Sequence, residues 1–295
     1  LGRQVPVKYE VRMKLIVSLD GSDHSRRVLP AARQFAEAAG AKLTLLRVLD
    51  PKIDLAGVVV PSVQEAIDIV SARWREELEQ LLREHGIADG EVQISTKGRA
   101  EDIYRVILRT ARTSEADMLA MTTRGASLLR HAILGSVGMQ VLGHAEMPVM
   151  LVGGDLALPD VDGAYHIVVT DDGSPSAVSI VDALSRIIMP GRMKLTLLTV
   201  SGASVGEPPA REMEARLRSL AGRFPEGVDI EIAVREVPAL SGVDTAIVRF
   251  AEELKANAIA MATHGHSARR HLVAGSVAMG VLKHAKVPVI MSRSR

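Results

Sequence analysis

The chain reads as an α/β protein built twice, as two tandem open parallel five-stranded sheets with helices on both faces. Three observations predict this. Short apolar runs alternate with stretches carrying helical periodicity, the pattern of strand–helix–strand units. The second half repeats the first: KLIVSLDGS (14–22) returns as HIVVTDDGS (166–174), and KLTLL (42–46) returns letter for letter at 194–198. Apolar residues make up 47% of the chain but aromatics only 2%. The core must therefore be built from Val, Ile, Leu, Ala and Met, which suits buried parallel strands.

Taken in order, 14–20 is a buried strand closed by the turn Gly21-Ser22-Asp23. A helix follows with Val28, Ala32, Phe35 and Ala39 on one face, and Gly40 stops it. KLTLLRV (42–48) is the second strand. A long helix then carries Val63, Ile67, Val70, Trp74, Leu78 and Leu81 as an apolar stripe up to Gly86. EVQISTK (91–97) is the third strand, 101–114 a helix, 118–121 the fourth strand, 136–145 a helix and PVMLV (148–152) the fifth strand. GGDLALPDVDGA (153–164) is a linker, after which the pattern restarts and ends with PVIMS (288–292). The second copy is about a dozen residues shorter, and the loss is expected after its second strand. Domains are expected at 13–153 and 165–292. A strand order of 3-2-1-4-5 in each half would place ligands between strands 1 and 4, where the order reverses.

The 295 residues suit about two domains. With 36 basic against 35 acidic side chains, the net charge of +1 gives no support for a nucleic-acid or membrane-surface partner. Cysteine is absent, which excludes disulfides, thiolate catalysis and cysteine zinc sites, and permits a reducing cytoplasm. No apolar run reaches the ~18 residues of a membrane helix. The opening LGRQVPVKYEVRM has no signal-peptide core and is expected to be a tag or an irregular tail.

The fourth strand of each half leads into MTTRGASLLRHAILGS (121–136) or MATHGHSARRHLVAGS (261–276). Each stretch holds a glycine turn, at Gly125 or Gly265, and then a Gly-Ser pair that opens an apolar helix, Gly135-Ser136 or Gly275-Ser276. The first N–H groups of a helix lack internal partners, and the helix dipole adds roughly 0.3–1 kcal/mol for an anion there. Glycine permits close approach, and phosphate is the usual guest. There is no GxxxxGK[ST] and no GxGxxG after a strand.

At these residues the chain resembles the universal stress protein family in its tandem two-domain form, from Lys14 to about Met291. The family's nucleotide signature, G-x2-G-x9-G-[ST], is matched from its second glycine onward at Gly125, Gly135 and Ser136, and at Gly265, Gly275 and Ser276. Thr122 and Ala262 stand where its first glycine would be. The resemblance implies a Rossmann-like fold binding ATP or another adenine nucleotide, with Mg2+ as a candidate companion. It implies adenine near Asp20 and Val48, or Asp172 and Val200. Ribose and phosphates would lie along Met121, Thr122, Gly125, Gly135, Ser136 and Val137, or Met261, Ala262, Gly265, Gly275, Ser276 and Val277. It implies too that the fifth strands pair as an intramolecular pseudo-dimer, with a homodimer of tandem chains as a further step. If the first-glycine position needs a positive φ, Thr122 would cost on the order of 1–2 kcal/mol and Ala262 less, so tighter binding is expected in the second copy.

Each feature has a plainer reading. Asp20 and Asp172 fit ordinary Asp-Gly turn chemistry. Arg130, Arg270, His131 and His271 lie in the loops and could reach phosphate, although a solvated loop charge is commoner. His264, His266, His271 and His284 have no carboxylate at ligand spacing, so no metal is expected. Trp74 and the methionines at 118, 121, 261 and 291 read as core. No residue offers a general base or nucleophile with an orienting partner, so the leading expectation is a cytoplasmic stress-response sensor or regulator, at most a slow ATPase. A nucleotide-free interaction protein and an ATP-hydrolysing or adenylylating enzyme are the alternatives.

Overall fold

The computed structural model describes residues 13–123, 133–161, 163–202, 208–237, 242–263 and 274–293. The expected N-terminal tail lies outside them. The first half runs β1 (Met13–Leu19), α1 (Asp23–Arg26), α2 (Val28–Ala39), β2 (Ala41–Leu49), α3 (Pro51–Asp54), α4 (Val63–Glu84), β3 (Glu91–Thr96), α5 (Ile103–Thr113), β4 (Met118–Thr122), α6 (Ser136–His144) and β5 (Val149–Val152). The second runs β6 (Tyr165–Thr170), a single 3₁₀ turn (Pro175–Ala177), α7 (Val178–Leu184), β7 (Met193–Ser201), α8 (Ala210–Ala221), β8 (Asp229–Glu236), α9 (Val243–Glu253), β9 (Ala258–Ala262), α10 (Ser276–His284) and β10 (Val289–Ser292).

Each half has the order 3-2-1-4-5, and the fifth strands pair as the resemblance implied, which merges the two sheets into one. The ten strands form a continuous sheet, β3-β2-β1-β4-β5-β10-β9-β6-β7-β8, parallel within each half and antiparallel only where β5 meets β10. There Leu151 faces Val289, Met150 faces Ile290 and Val149 faces Met291. All four β5 residues are buried, so a strand that would be an exposed apolar edge in a single half is central here.

Alternation along the strands sends side chains into two cores that both cross this seam. One face packs α2, α4, α7 and α8 over residues including Val17, Met150, Ile167 and Ile290. The other packs α5, α6, α9 and α10 over Ile16, Leu151, Val168 and Met291. Phe35 of α2 meets Tyr165 of β6 edge to face at 5.6 Å, tying the first half to the second. Between the halves, Leu156 and Leu158 pack on the core, and the Pro159 carbonyl accepts from Gln34 Nε2 at 3.1 Å and Asn257 Nδ2 at 3.3 Å.

The helix signals hold locally. Gly40 ends α2 at φ +62, with its N–H on the Ala36 carbonyl. Ser62 starts α4 by accepting the Glu65 N–H at 3.1 Å. The apolar stripe of α4 is only partly interior: Val70, Trp74, Leu78 and Leu81 are buried, but Val63 is 67% exposed. Among the described residues no helix is long and apolar enough to cross a membrane.

His166 on β6 is buried, with Nε2 2.8 Å from the Thr196 hydroxyl. Burial, and then the charge of Lys194, holds its pKa below the usual 6.5. The folded protein therefore takes up this proton later than the unfolded chain does, and stability falls as pH drops from about 6.5 towards the lowered value. Urea melts at pH 7.5 and 5.5 are expected to show a loss that shrinks in His166→Gln. An equal loss in both proteins would assign it to other groups.

Candidate functional site

Strand order reverses between β1 and β4, and again between β6 and β9, so the connections leaving these strands diverge and open a crevice at their carboxyl ends. A cavity fills each crevice. The first, of about 460 Å3, is lined by Asp20, Val48, Met121, Thr122, Gly135, Ser136 and Val137. The second, of about 220 Å3, is lined by Asp172, Val200, Met261, Ala262, Gly275, Ser276 and Val277. Every sequence-predicted site residue in the described parts is thus brought to a cavity. Gly125, Gly265 and the loop Arg and His residues at 130, 131, 270, 271, 264 and 266 lie outside the described residues. His284 ends α10, away from either cavity lining.

At one end of each cavity a helix begins. Gly135 and Gly275 are N-caps with extended backbone (φ −68 and −70), and neither helix has a side-chain cap. The amides of these two glycines are not open to a ligand, because Gly135 N–H donates to the Thr123 carbonyl at 2.7 Å and Gly275 N–H to that of Thr263 at 2.7 Å. These bonds clamp the two ends of each loop together. The open donors are the next three amides, Ser136, Val137 and Gly138 or Ser276, Val277 and Ala278, which find no acceptor among the described residues. All six residues line a cavity.

Thr122 and Ala262 close β4 and β9, and neither has a positive φ. The strain expected at Thr122 therefore does not arise, and with it goes the reason given for tighter binding in the second copy. A parallel strand running one residue further keeps this position extended, where threonine fits well.

Each cavity is also lined by carboxylates. Asp20 Oδ1 accepts from the Ser22 amide at 2.9 Å and hydroxyl at 2.6 Å, and Asp172 Oδ1 accepts from the Ser174 amide at 3.0 Å. Both are turn residues and cavity residues at once. The surroundings then differ. In the first half the Arg47 guanidinium lies 3.6 Å over the Trp74 ring and 3.1 Å from Glu77, whose other oxygen takes Arg26 at 2.8 Å. Burial pulls the Arg47 pKa down, against Glu77, Asp54 and Asp20. Gly21, at φ +84, fits beneath this guanidinium, where any Cβ would collide with it. Buried Asp50 pairs with Lys97 at 2.9 Å, and that bond holds its carboxyl below the usual carboxylate range.

In the second half Leu19 is replaced by Asp171, which is buried and gripped by Arg216 through Nε at 2.7 Å and Nη2 at 2.9 Å. The same bond raises the Arg216 pKa. Sequence reasoning missed Arg47, Asp50, Trp74 and Asp171 as cavity residues. Trp74 was read as core and is buried against Leu49 and Val70, yet it also lines the first cavity. Its spacing matched a core stripe, so periodicity carried no signal for the second role. No cluster of three or more metal-ligating side chains occurs among the described residues.

One exchange between the copies couples two positions of the helix start. A Cβ on Gly138 would stand 2.7 Å from Leu134 Cδ1, whereas the second copy has alanine at both places, Ala274 and Ala278. Gly138→Ala is expected to lose about 1 kcal/mol net, overpacking outweighing the gain in helix propensity. In a Leu134→Ala background the same change is expected to gain about 0.5–1 kcal/mol. Denaturant melts of the four proteins close the cycle, and equal increments in both backgrounds would remove the contact from the account.

The universal stress protein family model matches residues 12–153 and again 165–293. A universal stress protein of Thermus aquaticus is 31% identical over 141 residues, covering 47% of this chain and 96% of its own length. One from Mycolicibacterium smegmatis is 25% identical over 295 residues, covering 95% of this chain and 97% of itself. The crystal structure of a universal stress protein from Archaeoglobus fulgidus superposes with a TM-score of 0.66 at 20% identity, covering 96% of this chain and 97% of its own. Two matches of one family model in succession, with a relative aligned nearly end to end, leave one conclusion: the chain belongs to the universal stress protein family, in tandem form.

Proposed function

We propose that the chain binds ATP or a related adenine nucleotide in both crevices and acts as a stress-response regulator rather than an efficient hydrolase. The observation that carries this reading is the presence, in each cavity, of three helix amides with no acceptor among the described residues together with turn-held carboxylates. The amides suit phosphates, and the helix dipole favours their charge. The carboxylates suit hydrogen-bond donors such as the amino group or hydroxyls of a nucleoside. Val48, Val200, Met121 and Met261 supply apolar walls. Any Mg2+ would arrive on the nucleotide's own phosphates. The family's nucleotide signature adds support, since the parts of it within the described residues line the cavities.

The nucleotide-free reading drew on the replacement of glycine by Thr122 and Ala262. With both positions in extended backbone, that replacement brings no strain. A cytoplasmic setting and association of two chains belong to the same proposal.

Proline at the first helical position keeps a helix intact while deleting one amide donor. Ser136→Pro in the first cavity, and Ser276→Pro in the second, are expected to weaken ATP binding at that site about tenfold or more, as loss of a hydrogen bond to a charged group does. The Ser→Ala variants separate the hydroxyl from the amide. Titration calorimetry that finds both proline variants binding ATP as tightly as the parent would remove the helix amides from the site.

A further inference from the structure

The two crevices are built alike at the strand ends, but among the described residues only the first carries a helix over its mouth. In the first half the chain leaves β2 into α3, and Ile53 of that helix lines the cavity while remaining 68% exposed. A large apolar side chain held at a cavity mouth and left uncovered is placed to lie against a guest. The segment is fastened from several sides. Asp50 accepts the Lys52 amide at 3.1 Å, Asp54 accepts the Asp50 amide at 2.7 Å, and Asp50 is paired with Lys97 where both side chains are nearly buried. Leu55 and Val58 pack on the Leu49–Val70–Trp74 cluster. The second half has a shorter connection here and no counterpart of the Asp50–Lys97 pair. Its matching stretch, from Ser201 to Leu217 against Leu49 to Leu78, is about a dozen residues shorter, and Gly202 and Val237 stand where Asp50 and Lys97 do.

We infer that the two sites are kinetically unequal: the first, roofed by α3 and locked by Asp50–Lys97, retains its nucleotide, while the second exchanges it rapidly. The inference rests on the nucleotide reading above and adds which half holds on and which residues make it do so. Ile53 covers the bound molecule, and Lys97 is a positioning residue that keeps α3 in place through Asp50. A protein built this way would carry one near-permanent nucleotide and one that follows the surrounding concentration.

The chain supplies its own probe. Trp74 is the only tryptophan and lines the first cavity alone. A ribose-labelled fluorescent ATP, loaded on the full chain and chased with excess ATP, can be followed by the label's emission for both sites and by Trp74 emission for the first. Two phases at least tenfold apart are expected, with the Trp74 change confined to the slow one. Lys97→Met and Ile53→Ser are each expected to accelerate the slow phase tenfold or more and to leave the fast phase unchanged. Ile53→Ser keeps the ion pair, so it reports on the roof even if Lys97→Met perturbs the fold. Ser276→Pro is expected to remove the fast phase only. A single phase, a slow phase invisible to Trp74, or a slow phase indifferent to both roof variants would overturn the inference while leaving nucleotide binding in place. Failure of either signal to show any binding would instead overturn the nucleotide reading itself.

Discussion

The antiparallel pairing of β5 with β10 is the contact on which the molecule depends. Each is a short strand with all four residues buried, and in an isolated half it would expose an unpaired apolar edge. Joining the two edges makes one ten-stranded sheet and lets two apolar layers run from one half into the other. It also fixes where function can sit. The strands are parallel within each half, and the seam reverses their direction, so the carboxyl ends of β1 and β4 point opposite to those of β6 and β9. The two crevices therefore open at opposite ends of the sheet, and the short linker that leaves β5 need only travel along one end of it to start β6.

Within each crevice the important bond is the one that removes a donor from the site. Thr123 and Thr263 accept the glycine amides with their carbonyls, so the chain entering the loop and the chain leaving it are joined by a backbone bond. The helix start is then placed before any ligand arrives, and three amides are left with no acceptor among the described residues. Preorganisation of this kind spares a polyanion the cost of ordering its own binding groups. It also explains why the first-glycine position tolerates threonine and alanine: the residue is the last of a strand, and the freedom glycine would offer is not needed there.

Much of this was legible in the sequence, and the reasons are physical. Strand and helix periodicities were strong because nearly all strands are buried on one or both faces, and the duplication let each half check the other. The glycine loops announced themselves because glycine followed by serine before an apolar run is a backbone signal, independent of tertiary context. What could not be read was what depends on partners far apart in the chain. Arg47 carries no mark of its stacking on Trp74, since the pair is made by a strand and a helix whose facing registers are set only on folding. Trp74 sat at core spacing and is core, yet one side of it forms a cavity wall. The joining of the two sheets was legible only through the family resemblance, which implied pairing of the fifth strands, because the β5–β10 register joins residues well over a hundred positions apart.

The differences between the halves are compensated pairs, and this bears on how two sites from one ancestor can diverge without unfolding. In register with Leu78 and Leu81 of α4 lie Leu217 and Leu220 of α8, which places Glu77 opposite Arg216. Glu77 answers two arginines, Arg26 and Arg47, while Arg216 answers Asp171. The helix charge has reversed, and its strand partner has moved with it, from Arg47 on β2, where the second half has Thr199, to Asp171 after β6, where the first half has Leu19. Either change alone would have left a largely buried charge facing its own kind, or none, a state far costlier than the pair is stabilising. Leu134 with Gly138, against Ala274 with Ala278, follows the same logic in volume rather than charge. Divergence through such pairs preserves the backbone of both crevices, with their amides and turn carboxylates, while the walls around them change. Two like sites can thereby take on unlike tasks inside one continuous sheet.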